Sequence, residues 1–237
     1  MRLLELDSPL MQGMNRLGDL LWLNLLTLFC CIPVITVGPA LTAMHYTALK
    51  IVRNEESYIT RNFFKAFRKN LRQGIAVWLI LLAVLLVLAG DFYIVNFSGL
   101  EFNSLMQIIL MAAFLLTVFT AAFVFPVLAK FENTVFRTIK NAFLIGIMLL
   151  PRTVLMVILN ALPLVLFVCV PHVIPIVFLF GLSVPAWLSA RLYTRFFRKL
   201  EDKYFEENTP EQRAEGEDDR IFKDELDAAL QNDSDIK

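Results

Sequence analysis

Residues 75–95 read IAVWLILLAVLLVLAGDFYIV, from Ile75 to Val95, and a single charge, Asp91, interrupts them. A bilayer core about 30 Å thick takes about 20 helical residues to cross. Lipid cannot hydrogen-bond a backbone, so a crossing is either a helix or part of a closed barrel. The run is continuous rather than alternating, which selects the helix.

Working outward, similar runs occupy residues 17–37, 104–129, 153–170 and 173–190. The expected fold is therefore all-α: a polytopic transmembrane helix bundle of about five spans. Composition agrees, with 57% hydrophobic residues and a mean hydropathy of +0.63, against roughly 45–50% apolar residues in soluble domains. Arg152 fixes one boundary. A span drawn across it would bury a charge at a cost of about 2.5–3.5 kcal/mol. The fourth span is therefore expected to start at Thr153, leaving Asn141–Leu150 to a separate helix. Pro151 suits a helix start.

Charge divides the chain. Residues 1–200 carry 17 basic and 8 acidic side chains, net +9, and residues 201–237 carry 5 and 14, net −9. The second segment is expected to be an acidic, largely disordered cytoplasmic tail. Lys50–Arg72 holds seven Lys/Arg, Lys130–Arg152 holds four, and Arg191, Arg195, Arg198 and Lys199 follow the last span, whereas Asp91–Asn103 and Pro171-His172 hold none. The positive-inside rule then places the N-terminus outside and the C-terminus inside for five spans. No cleavable signal peptide is evident. If Pro33–Pro39 breaks the first run into a re-entrant hairpin, the N-terminus is inside instead.

That break is the least generic feature. Pro33, Gly38 and Pro39 should kink or unwind the end of the first span. Thr36 can satisfy a freed carbonyl, and Asn24 in an apolar run needs an interhelical partner. These five residues form a candidate functional kink, and broken helices with polar residues often line binding cavities.

Two basic, aromatic segments lie at a constant offset. Phe64, Lys65 and Arg68 correspond to Phe136, Arg137 and Lys140, Phe67 and Lys69 to Ile139 and Asn141, and Gly74-Ile75 to Gly146-Ile147. Each segment is expected to form a cytoplasmic interfacial amphipathic helix, apolar side in the lipid boundary and basic side toward anionic headgroups. One reading is a two-fold pseudo-repeat. The simpler one, adopted here, is that cytoplasmic interfaces generally gather Phe, Lys and Arg.

Catalytic signals are missing from the sequence. Cys30, Cys31 and Cys169 sit in apolar runs and read as small buried residues. Three scattered cysteines and two histidines give no metal-ligand spacing, and there is no phosphate loop or nucleophile elbow. No cofactor, no metal and no enzymatic activity are expected. The basic loops lie beside spans, so lipid headgroups rather than nucleic acid are their expected partners.

The segment Asn24-Leu25-Leu26…Pro33-Val34-Ile35-Thr36-Val37-Gly38-Pro39-Ala40…Ala43 continues with Lys50…Arg53…Glu55-Glu56 and Phe63-Phe64…Phe67…Asn70. It resembles the signature of the YesL family, small bacterial membrane proteins built around a domain of unknown function, over roughly residues 15–200. The resemblance implies a multi-pass protein of the bacterial cytoplasmic membrane whose gene neighbours often include sugar permeases, carbohydrate-degrading enzymes and sensor kinases. It supplies no catalytic residues. The resulting expectation is a non-enzymatic accessory or regulatory protein associated with carbohydrate uptake, contacting a sugar permease or membrane sensor. The alternative is a small oligomeric secondary transporter or channel.

Overall fold

The structure, a computed structural model, describes residues 9–55, 58–97, 104–131 and 133–207. In chain order the helices are α1 (Pro9–Cys31), α2 (Val37–Arg53), α3 (Ile59–Lys69), α4 (Leu71–Phe97), α5 (Ser104–Lys130), α6 (Val135–Met148), α7 (Leu150–Cys169), α8 (Ile174–Phe180) and α9 (Ser183–Glu207). No strand occurs among the described residues. The chain divides into a first unit ending at Leu192 and a second starting at Tyr193. The second is described to Glu207, so the first residues of the expected tail are helical. The rest of that tail lies outside the described residues.

Three of the expected spans are single helices, α4, α5 and α7, and all are long and apolar enough to cross a bilayer. The run at 173–190 is broken: α8 and α9 meet at a 50° bend and count together as one candidate span. That gives three to four candidate crossings among the described residues.

The run at 17–37 is not one helix. α1 ends at Cys31, a one-turn 3-10 segment covers Val34–Thr36, and α2 starts at Val37. The chain then doubles back. Arg16 Nη2 donates to Asn54 Oδ1 at 3.1 Å, and Trp22 Nε1 donates to Thr60 Oγ1 at 2.8 Å. The start of α1 therefore lies beside the end of α2 and the start of α3. Asn54 closes α2 in the left-handed conformation, φ 54°, a helix-ending geometry that Asn tolerates better than most residues.

α2 is the centre of the first unit, packed by α1, α3, α4 and α5. Its buried positions include Gly38, Ala40, Thr42, Ala43, Thr47 and Ala48, small residues that let helices approach closely. The Thr42 and Thr47 hydroxyls bond back to the carbonyls of Gly38 and Ala43 at 2.9 Å, so neither is left unpaired in the core.

The core gathers at one end of the long helices. Val77 and Leu81 of α4 and Phe119, Phe123, Val124 and Val127 of α5 are buried. Farther along, Leu86, Val87, Leu105 and Ile108 are more than 60% exposed, an apolar surface that suits hydrocarbon and not water.

α3 corrects one expectation. It packs on α1 and α2, with Ile59, Phe63 and Ala66 buried, so its apolar side faces the protein rather than the lipid boundary. The two basic segments also differ. The first breaks after Lys69 and restarts at Leu71, whereas the second runs unbroken from Val135 to Met148. α7 starts at Leu150, three residues before Thr153, with Pro151 in its first turn, so Arg152 belongs to the first turn of this helix.

Candidate functional site

The five kink residues divide between two junctions. At the turn, Thr36 Oγ1 lies 2.7 Å from the Cys30 carbonyl and 2.8 Å from that of Pro33, and Thr36 N–H donates to Pro33 O at 3.0 Å. Thr36 thus serves carbonyls freed where α1 stops. Trp78 of α4 holds the turn from outside, its Nε1 donating to Val34 O at 2.9 Å. Gly38 and Pro39 lie against Gly74 of α4. A Cβ on Gly74 would stand 2.8 Å from Pro39 N and 2.9 Å from Pro39 Cα, and one on Gly38 would stand 2.6 Å from Trp78 Cβ and overlap the Gly74 carbonyl.

Asn24 belongs to the second junction. Fully buried, it donates through Nδ2 to Phe178 O at 2.8 Å, and its Oδ1 accepts from Leu182 N at 2.9 Å and Ser183 N at 3.0 Å. One amide therefore bridges the end of α8 and the start of α9. Leu182 and Ser183 are where α9 starts and where helical N–H groups lack intrahelical partners. The interhelical partner that Asn24 required is the break in the last candidate span. Sequence reasoning missed that break.

The basic and aromatic residues line two openings near α3. Phe64, Lys65 and Arg68 face a groove of about 930 Å³ shared with Asp19, Trp22, Tyr58 and Arg61. A second pocket, of about 710 Å³, is lined by Tyr46 of α2, Lys65 and Lys69 of α3, Asn70 and Gln73 at the α3–α4 junction, Lys130 of α5, Asn133 and Thr134 of the following linker, and Arg137 of α6. Gln73 Nε2 donates to Asn133 O at 2.8 Å and pins this linker to α4. Lys65, Lys69 and Arg137, expected on two separate interfacial helices, are thus brought to one pocket. Of the others, Phe67 stacks on Phe63 at 6.2 Å, while Phe136 and Lys140 are exposed and line neither opening.

Sequence reasoning also missed Gly74, Trp78 and Gln73. A glycine just inside a helix start was the available signal for the first. No group of three or more His, Cys, Asp or Glu able to hold a metal occurs among the described residues.

Residues 20–92 match the family described as Protein of unknown function, DUF624. That segment runs from Leu20 of α1 to Phe92 of α4 and contains the turn, the Gly38–Gly74 crossing and α3. It holds six of the residues lining the second pocket, and α5, the linker and α6 bring the rest. No curated protein and no solved structure matches the chain.

Proposed function

We propose that this is a non-enzymatic, multi-pass protein of the bacterial cytoplasmic membrane that assists or regulates carbohydrate uptake by contacting a sugar permease or membrane sensor. The supporting observation is a division of labour. A tightly packed end, built on the α1–α2 hairpin, carries two openings lined by basic side chains, while the far halves of α4 and α5 leave apolar faces for lipid or partner helices. The carbohydrate association rests on the YesL resemblance.

The hairpin also supports a topology. Its turn meets α4 at Gly74 and Trp78. Beyond Trp78, Leu79–Phe97 extends roughly 28 Å at about 1.5 Å per residue, close to a hydrocarbon thickness. In this reading the hairpin stays near the cytoplasmic boundary, and the crossings are α4, α5, α7 and the bent α8–α9 pair. Four crossings put both ends of the membrane domain inside. The three basic segments then remain cytoplasmic, as the positive-inside rule asks.

In-membrane crosslinking with identification of co-purified proteins, together with growth of a deletion strain on single oligosaccharides, tests the role. Recovery of a sugar permease and a defect on a particular glycan support it. Normal uptake and growth across many glycans count against it. One observation favours a transporter: Asn24 fills a break in a candidate span, as in carriers with discontinuous helices. Solute movement by the purified protein in liposomes would select that reading.

A further inference from the structure

Asn160 stands at the middle of α7, with ten residues of the helix before it and nine after. α7 is long and apolar enough to cross a bilayer, so this amide lies near the hydrocarbon midplane. It is exposed on the helix surface. Its Nδ2 donates back to the Met156 carbonyl at 2.8 Å and, at a longer 3.4 Å, to Ser189 Oγ of α9. Its Oδ1 accepts no hydrogen bond among the described residues. Pro163 has no N–H to offer the Leu159 carbonyl, which frees a second acceptor at the same depth. Hydrocarbon supplies a donor to neither. The face on which Asn160 lies matters as much as its depth. Thr153 and Met156 are the buried residues of α7. With about 3.6 residues per turn, their face continues through Asn160 to Leu164 and Phe167. There the burial ends, with Leu164 68% and Phe167 51% exposed. The packing face of α7 thus runs on uncovered along its second half, and a polar group opens that stretch.

We propose that this stretch is covered by a second copy of the chain, Asn160 pairing with the partner's Asn160 between two α7 helices inside the bilayer. An amide carries both donor and acceptor, so it is complementary to itself. Each Oδ1 accepts from the partner's Nδ2, whose second hydrogen is otherwise held only by the long contact to Ser189. A two-fold axis along the membrane normal brings every residue to the depth of its own mate, which makes the interface isologous. Any other occupant has to bring a polar group to this depth by its own sequence. Thr153, Asn160 and Phe167 also fall at intervals of seven, the repeat that keeps one seam facing a neighbouring helix. Asparagine bonds between spans favour association in lipid. The inference requires that α7 lies in the bilayer, and it is independent of the number of crossings and of the carbohydrate role.

The test is disulfide crosslinking of the full chain, purified and returned to vesicles of phosphatidylethanolamine and phosphatidylglycerol. Cys30, Cys31 and Cys169 are replaced by Ala, and single cysteines are introduced by Leu164→Cys, Phe167→Cys, Leu162→Cys or Val165→Cys. All four positions are 50–68% exposed, so access to the oxidant does not distinguish them. Leu164→Cys and Phe167→Cys, on the Asn160 face, should form covalent dimers. Leu162→Cys and Val165→Cys, on the opposite side of the helix, should not. Adding Asn160→Leu to Phe167→Cys should weaken dimer formation about threefold to thirtyfold, the range for a polar contact between spans. Asn160→Gln, which keeps donor and acceptor, should retain it. Stepwise photobleaching of the tagged wild-type chain in dilute vesicles counts copies without any substitution in α7, and two steps are expected. Single steps at every dilution overturn the proposal. So does crosslinking that is equal at all four positions or unchanged by Asn160→Leu. A crosslink formed only in native membranes, to a different protein, overturns it as well.

Discussion

Gly38 and Gly74 face each other where α2 crosses α4, so close that a methyl group on either would meet the other helix's backbone. This crossing, with the Trp78 bond to Val34 beside it, fixes where the doubled-back segment ends against the first long span.

Overpacking of a tight crossing typically costs 1–3 kcal/mol. Gly38→Ala and Gly74→Ala should each lower stability in detergent by about 1–3 kcal/mol, seen as a drop in the thermal midpoint. Gly90→Ala, on the same helix as Gly74 but with nothing within 4 Å of the added carbon, should be neutral or stabilising, because Ala favours helix over Gly by up to about 1 kcal/mol. Equal loss at all three positions would contradict the crossing.

Asn24→Leu keeps the volume and removes three hydrogen bonds to the α8–α9 break. The expected cost is about 1–2 kcal/mol. Hydrogen exchange at the Leu182 and Ser183 amides should accelerate with it. Unchanged exchange there would mean that the amide does not hold the break.

His45 sits buried in α2, outside the candidate spans, and burial lowers its pKa from 6.5 to about 4. Between these values the unfolded chain binds a proton that the folded chain does not, so stability rises with pH across that window and is fully present above 6.5. Acidification from pH 7.5 to 4.5 should cost on the order of 2–3 kcal/mol through this group. His45→Gln should flatten the dependence of the thermal midpoint on pH. The same slope in the variant would assign it to other groups.

The long apolar helices were legible because hydrocarbon burial is written into local composition. Residues 75–95, 104–129 and 153–170 fall inside α4, α5 and α7 apart from a residue at the end of the last. The doubling back was legible only as a break. Pro33 and Pro39 announce that a helix cannot continue, but its new direction depends on Gly74 and Trp78, thirty-five or more residues away in sequence. The α8–α9 break was hidden because its local marks, Gly181, Ser183 and Pro185, sit within an apolar run, and its polar partner is Asn24 on α1. The charged site was half legible. Basic residues on α3 and α6 stood out by composition. Their convergence required the linker that Gln73 pins through the Asn133 carbonyl, a contact no local pattern encodes.

In the proposed topology the chain turns back at Pro33–Thr36 without crossing, so that the start of α1 and the basic α3 share the cytoplasmic side. Sided cysteine labelling tests it most directly. In a background with Cys30, Cys31 and Cys169 replaced by Ala, a single cysteine at exposed Asn15 is treated with a membrane-impermeant maleimide in intact cells. A parallel variant retaining only Cys169, exposed at the far end of α7, marks the outside. Labelling of Cys169 in intact cells, with the cysteine at position 15 reacting only after permeabilisation, is the predicted result. Full labelling at position 15 in intact cells would contradict it and restore a crossing to the first apolar run.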